Sequence, residues 1–199
     1  MIDILLVALI AYAIGNFSTS YILGKLIKRT DIRTKGSGNA GATNALRVFG
    51  KKFAIITFIF DALKGVIAVI IGEMLLGDTG GLIAGLFAVI GHDFPIVLKF
   101  KGGKGIATTI GAATFIHPIP ALIAIIIGII IIIKTRYVSL GSVSAISLVP
   151  FIGLIIIRPF NLEYILFLTA LALLAIIRHK SNIKRLLNGC ESKIGQKAK

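Results

Sequence analysis

Long apolar runs alternate with short polar, mostly basic stretches along nearly the whole chain. A helix that crosses a bilayer needs about 20 apolar residues. Seven segments meet or approach that length: Ile4–Leu23, Phe53–Leu76, Leu82–Leu98, Ile106–Ile116, Pro118–Ile133, Val138–Ile157 and Phe160–Ile177. The fourth is short and carries Thr108, Thr109, Gly111 and Thr114, so it reads as a helix buried among others or a re-entrant element. The pattern predicts an all-α integral membrane protein with seven transmembrane helices, built as one polytopic domain over residues 1–199. The polar tail from Asn188 onward is expected to be flexible. Ala11-Tyr12-Ala13 imitates a signal-peptide cleavage site, but no basic region precedes the first apolar run, which is read as a retained span.

Composition agrees. The chain has 199 residues, is 56% hydrophobic and has a mean hydropathy of +0.97. A soluble helical bundle of this makeup would lack polar surface for its exterior. The net charge of +14 would suggest nucleic acid in a soluble protein. Here it marks cytoplasmic loops and contact with anionic lipid, and no nucleic-acid partner is expected. With the N-terminus outside, the first loop holds Lys25, Lys28, Arg29, Arg33, Lys35, Arg47, Lys51 and Lys52. The third holds Lys99, Lys101 and Lys104, and the fifth holds Lys134 and Arg136. The tail holds Arg178, Lys180, Lys184, Arg185, Lys193, Lys197 and Lys199. Twenty of the 22 basic residues then share one face, whereas six spans would break the sorting. The N-terminus is therefore placed outside and the C-terminus in the cytoplasm. Cys190 is the only cysteine, so neither an intrachain disulfide nor a thiolate metal site can form. His92, His117 and His179 are scattered without metal-ligand spacing, and no metal or cofactor is expected.

The most distinctive segment is Gly36–Arg47, GSGNAGATNALR. It combines Gly36, Ser37, Gly38, Asn39, Gly41, Thr43, Asn44 and Arg47. Such a loop offers donors without bulk, as a phosphate oxygen requires; the bland alternative is a flexible connector, but linkers rarely pair so many glycines with asparagine. A second motif is Gly91-His92-Asp93-Phe94-Pro95 followed by Lys99-Phe100-Lys101-Gly102-Gly103-Lys104-Gly105. Gly102, Gly103 and Gly105 around Lys104 resemble a phosphate-cradling loop in chemistry, without Walker A spacing. Thr108 and Thr109 follow one helical turn later as hydroxyl donors. The lysines alone are better explained as a snorkelling, positive-inside cluster, and it is the glycines that favour a ligand loop.

A third cluster, Arg136–Ser142, places Ser139 and Ser142 on one helix face, where Ser139 is as readily a helix cap as a ligand. A fourth, Arg178–Arg185, places His179 and Asn182 three residues apart within a basic stop-transfer flank. Asp61 and Lys64 have the same spacing inside the second span, where an ion pair supporting the site is the favoured reading and a proton relay the lesser one. Asn16, Ser18, Thr19 and Ser20 make one end of the first span polar. Apart from Asp61 and Lys64, these clusters fall at the expected cytoplasmic helix ends, where four segments can converge on one basic, glycine-rich pocket.

Taken together these residues resemble the bacterial acyl-phosphate:glycerol-3-phosphate acyltransferases, the PlsY family. The resemblance runs through nearly the whole chain: Ser18–Tyr21, the GSGNAGATN loop, Asp61–Gly65, GHDFP with KGGKG, Arg136–Ser142 and Arg178–Asn182. It implies an inner-membrane, multi-pass enzyme, monomeric, with its active site at the cytoplasmic face. Its substrates would be acyl phosphate and glycerol 3-phosphate. The sn-1 hydroxyl would be acylated to give lysophosphatidic acid and inorganic phosphate, the first acylation of bacterial phospholipid synthesis. Attack would be direct, without a covalent enzyme intermediate. The resemblance implies Ser37, Arg47, Lys104 and His179 as catalytic residues. Gly38, Asn39, Gly41, Thr43, Asn44, Gly102, Gly103, Gly105, Thr108, Ser139, Ser142 and Asn182 would bind substrate. Either the substrate phosphate or His179 would take the proton. The H-x-x-x-x-D motif of thioester-using acyltransferases is absent, since Val97, Leu122 and Lys184 stand five residues after the three histidines.

A transporter for a phosphorylated metabolite is the competing reading. It requires polar or broken-helix positions near the midplane and an exit on the outer face, which is almost bare of charge here. A lipid-binding scaffold explains the basic surface but not the glycine loops.

Overall fold

The computed structural model describes residues 2–196, and among them there are helices and loops but no strand. The last three residues of the expected tail, 197–199, lie outside the described residues. The chain divides into two compact units, one running through Ala112 and the other spanning Ala113–Ile194.

In the first unit the apolar run expected to be one span is broken. Helix α1 covers Ile2–Gly15 and α2 covers Thr19–Lys28, with Asn16, Phe17 and Ser18 between them. Asn16 stabilises the break from both sides. Its Nδ2 donates to Tyr12 O (2.6 Å) and its Oδ1 accepts from Ile96 N (2.7 Å). Helix α2 ends at Arg29 in the left-handed region, and Thr30 N donates back to Gly24 O (2.9 Å). A short 3-10 turn, Ile32–Thr34, leads to α3, Ala42–Phe49.

Helix α4, Lys51–Asp93, joins the second and third expected spans. It is not straight. Leu76 and Gly77 leave helical geometry, and Gly77 takes φ +61°, which suits a residue without a Cβ. The two arms fold back on each other there. Lys64 and His92 would stand about 42 Å apart along a straight helix, yet their side chains meet at 2.7 Å. Helix α1 packs closely on the second arm, where a side chain at Gly91 would strike the Tyr12 carbonyl. A 3-10 turn, Ile96–Leu98, and the Lys99–Gly105 loop then lead to α5, Ile106–Ile116, the short segment expected from its threonines.

The second unit contains α6 (Pro118–Thr135), α7 (Val138–Ile156), α8 (Leu162–Arg178) and α9 (Lys180–Leu187). Arg136 turns the chain between α6 and α7 with φ +63°. Asn161 caps α8, its Oδ1 accepting from Tyr164 N (2.9 Å). Helices α8 and α9 meet at His179 with a bend of 61°. The segment after α9 is held by a hydrogen bond from Ile194 N to Arg136 O (2.8 Å).

The distribution of side chains is that of a protein solvated by lipid. The cluster between α1 and α4 is made mostly of small residues: Val7, Ala11, Ala68, Ala84 and Ala88. Large apolar side chains point outward instead, among them Leu5, Leu9, Ile67, Ile133, Phe151, Ile155 and Leu173. Small residues let helix backbones approach where no water is present to drive apolar burial. Among the described residues, four helical stretches are long and apolar enough to cross a membrane, or five when the bent α8–α9 pair is counted as one. The stretch Lys51–Leu98, 48 residues long, is the folded-back α4 with the turn that follows it.

Candidate active site

In the first unit the two glycine-rich loops lie side by side. Asn44 organises the first. It is buried at the start of α3, and its Nδ2 lies within hydrogen-bonding distance of three carbonyls: Asn39 O (3.0 Å), Ile32 O and Lys35 O (both 3.1 Å). Its Oδ1 accepts from Ser37 N (2.8 Å). One amide thus replaces the backbone ladder that this irregular stretch lacks. Gly36 and Gly38 sit in the left-handed region at φ +58° and +74°. Asn39 Nδ2 reaches Ser37 O and Oγ, both at 3.3 Å. Ser37, Asn39 and Thr43 are exposed or half-exposed at the rim, and Gly41 forms the N-cap of α3. Arg47 is half-buried in the last turn of the same helix.

Ala40 N donates to Gly102 O (3.4 Å), which joins the two loops. Arg33 adds a second tie, its Nη1 donating to Leu98 O (2.8 Å). Beneath them Ile32, Ala40, Ala45 and Leu98 form a small apolar core flanked by Tyr21 and Phe49. Gly103 N donates to His92 O (3.1 Å). A Cβ on Gly103 would overlap His92 Nε2, so only glycine fits. Gly105 takes φ +70° beside the Asp93 carboxylate. Lys104 stays half-buried between these glycines. Thr108 is fully buried in α5 and its Oγ1 makes no hydrogen bond to protein.

The ion pair expected in the second span is present, with Lys64 Nζ 3.1 Å from Asp61 Oδ1. The cluster around it is larger than the spacing suggests. Lys64 Nζ also reaches Phe17 O (2.6 Å), His92 Nδ1 (2.7 Å) and Gly15 O (3.1 Å). Thr19 Oγ1 donates to Asp61 Oδ1 (3.2 Å).

In the second unit the central residue is Glu191, which lies in the segment read from sequence as a flexible tail. Its carboxylate is buried and accepts from Ser139 Oγ (3.0 Å), Asn182 Nδ2 (2.7 Å) and Arg185 Nε (2.6 Å). Three segments are therefore gathered on one carboxylate: the start of α7, the middle of α9 and the chain beyond it. Ser139 does not cap α7, whose N-cap is Tyr137. Ser142 is half-buried one turn on. His179 is buried, with Nδ1 2.8 Å from Ala175 O. A carbonyl can only accept, so Nδ1 carries the proton and Nε2 of the neutral ring is the basic nitrogen.

Two carboxylates in the loops sit below their ordinary range. Burial alone would raise Glu191, but the hydrogen bonds from Arg185 and Asn182, the Arg185 charge and the Ser139 hydroxyl outweigh it and hold it low. Asp31 is lowered chiefly by its side-chain hydrogen bond with Arg33, which is itself raised by the same contact. Among the described residues no group of three His, Cys, Asp or Glu side chains is placed to hold a metal.

The glycerol-3-phosphate acyltransferase family model matches residues 5–189. The chain belongs to the glycerol-3-phosphate acyltransferase family. It is 53% identical over 192 residues to the glycerol-3-phosphate acyltransferase of Thermoanaerobacter pseudethanolicus, covering 96% of each protein. It is 49% identical over 193 residues to that of Alkaliphilus metalliredigens, covering 97% of each. The crystal structure of PlsY, an integral membrane glycerol 3-phosphate acyltransferase, in its glycerol 3-phosphate form superposes with a TM-score of 0.90 at 34% identity, covering 96% of both chains. Its lysophosphatidic acid form gives 0.86 at 32% identity, over 96% of this chain and 95% of that one. The acyltransferase is thus an integral membrane enzyme of this family, as the motifs suggested.

Sequence reasoning missed Glu191 as a hub, because it counted the tail only for its basic residues. It also treated His92 as an isolated helix-end residue. The Gly36–Arg47 and Gly102–Gly105 loops were foreseen as neighbours, and the Ala40–Gly102 hydrogen bond joins them.

Proposed function

We propose that the protein transfers an acyl group from acyl phosphate to the sn-1 hydroxyl of glycerol 3-phosphate, releasing inorganic phosphate and lysophosphatidic acid. The observation that carries this reading is the pairing of two glycine-rich loops, with Arg47 on the helix that follows one and Lys104 within the other, in a member of this family. Backbone donors and cations without bulky neighbours suit two phosphate-bearing substrates.

The hydroxyl oxygen attacks the acyl carbonyl carbon, the C–O bond to phosphate breaks, and phosphate departs with the electron pair. Acyl phosphate is already activated, so no enzyme nucleophile is needed. In the first unit we assign Arg47 and Lys104 to anionic oxygens. Ser37, Asn39, Thr43 and the glycines Gly38, Gly41, Gly102, Gly103 and Gly105 surround the acyl-phosphate head and the developing oxyanion. Asn44 supports the first loop from beneath, and Thr108, whose Oγ1 makes no hydrogen bond to protein, is assigned to substrate. In the second unit His179 and Ser142 face glycerol and phosphate groups, and Ser139 and Asn182 act with Glu191. The hydroxyl proton goes to the substrate's own phosphate or to His179 Nε2.

We place seven spans in the bacterial plasma membrane, with α1 and α2 forming one span, the arms of α4 two, and α5, α6, α7 and α8 one each. The positive-inside distribution puts the N-terminus outside and the loops that hold Arg47 and Lys104 in the cytoplasm. The protein works as a monomer.

Purified protein incubated with palmitoyl phosphate and glycerol 3-phosphate should release phosphate and form lysophosphatidic acid. Acyl-CoA and acyl carrier protein donors should be inert. No phosphate release from palmitoyl phosphate would overturn the reading. Near-normal transfer by each of Arg47→Ala, Lys104→Ala and Ser37→Ala would overturn the site assignment. A loss of only a few fold in His179→Ala would remove His179 as the base, since general base catalysis is worth about 10²–10⁴-fold.

A further inference from the structure

Lys64 is buried, and the acyl-transfer scheme gives it no role. We infer that Lys64 is a positioning residue for the reaction, acting through His92 to hold the Gly102–Gly105 loop in the conformation that receives phosphate. The inference rests on the loop assignment above.

The geometry runs in one unbroken chain of contacts within the first unit. Lys64 is 5% exposed and has four acceptors for three protons: Phe17 O, His92 Nδ1, Gly15 O and Asp61 Oδ1. An ammonium only donates, so His92 Nδ1 is the acceptor and the ring proton sits on Nε2. That fixes the tautomer and the plane of the imidazole. His92 then meets Gly103 twice. Its carbonyl accepts from Gly103 N, and its Nε2 edge fills the space where a side chain on Gly103 would stand. Gly102 O in turn accepts from Ala40 N in the other loop. Lys64 thus reaches the phosphate loops through one ring and one amide.

The same ammonium satisfies two carbonyls freed by the break between α1 and α2. Inside a bilayer a broken helix persists only where such groups find partners. A plain structural ion pair would need only Asp61. The contacts to His92 and to the break show a cation placed to lock two elements in register, and a misplacement of about 1 Å in a site can cost about 10²-fold in rate.

The test compares wild type with Asp61→Asn/Lys64→Met, which removes both charges together and leaves no lone buried ion, and with His92→Gln. Hydrogen exchange of the protein without substrates, read by peptide, reports the loop directly. Faster exchange confined to the peptides over residues 15–19 and 99–106 in the double variant supports the inference, as does faster exchange over 99–106 alone in His92→Gln. Unchanged exchange in the 99–106 peptide, or a uniform increase across the chain, overturns it. In phosphate-release kinetics the expected loss in kcat/KM is about 10²-fold for both variants. Combining His92→Gln with the double variant should add less than about threefold, because both act through one path. Fully multiplicative losses overturn the inference. The exchange result stands whichever donor the enzyme uses. Loop loosening with no transfer by wild type would therefore count against the proposed function alone.

Discussion

The two units each gather a polar cluster on one buried charge, but they do so with opposite signs and different exposure. In the first unit the hub is a cation. Lys64 and its partner Asp61 are 5% and 1% exposed, and their contacts run to backbone carbonyls, a ring nitrogen and a hydroxyl. In the second unit the hub is an anion. Glu191 is equally buried, yet the side chain of Arg185, its ionic partner, is 37% exposed. A charge that loses its partner in the first cluster has nowhere to hydrate. One that loses its partner in the second is at the edge of solvent. The second cluster therefore has a route to water that the first lacks.

The largest expected effect comes from breaking the first cluster on one side only. Lys64→Met leaves the Asp61 carboxylate buried with no cation, which should cost about 3–5 kcal/mol of stability. Adding Asp61→Asn should recover more than half of that, because a buried pair can be removed together at little cost. Thermal unfolding in detergent checks both values, and a double variant as unstable as the single one would break the contrast.

Glu191→Gln should cost less, about 1–2 kcal/mol, since Arg185 can turn to water and a glutamine oxygen still accepts from Ser139 and Asn182. The pH response sharpens the comparison. The folded value of Glu191 lies below its ordinary 4.5. Its stabilisation is therefore present above that value and fades as pH falls through the lower folded value. Wild type should lose stability in that acid window, and Glu191→Gln should lose less there. The smallest effect is expected at Asp31, which pairs with Arg33 in a partly exposed loop. Asp31→Asn should change stability by less than about 1 kcal/mol, and added salt should shrink the difference.

The boundaries of α5, α6 and α7 were legible from hydrophobic run length alone, since Pro118 and Arg136–Tyr137 punctuate the apolar sequence. The break at Asn16–Ser18 was legible only as polarity. Propensity does not show that the freed carbonyls would be met by a lysine nearly fifty residues away. The reversal of α4 at Leu76–Gly77 was visible as the gap between two spans, though Met74–Gly81 is helical enough on both sides to run on with little loop. In the site, the glycines and Arg47 announced themselves through composition. Asn44 was foreseen as a ligand, but its amide is turned inward to three carbonyls. Glu191 was invisible because a lone acid in a basic tail shows no periodicity, and its partners come from α7 and α9.

The fold-back of α4 also bears on how the chain is made. Asp61 and Lys64 emerge from the ribosome three residues apart, and their contact closes within one turn of the first arm. That arm can enter the lipid as a neutral element before His92 has been synthesised. The second arm packs closely back on it, with Gly72 against Gly80 near the bend. A charge pair closed within one helical turn lets the first arm meet lipid without a net charge of its own.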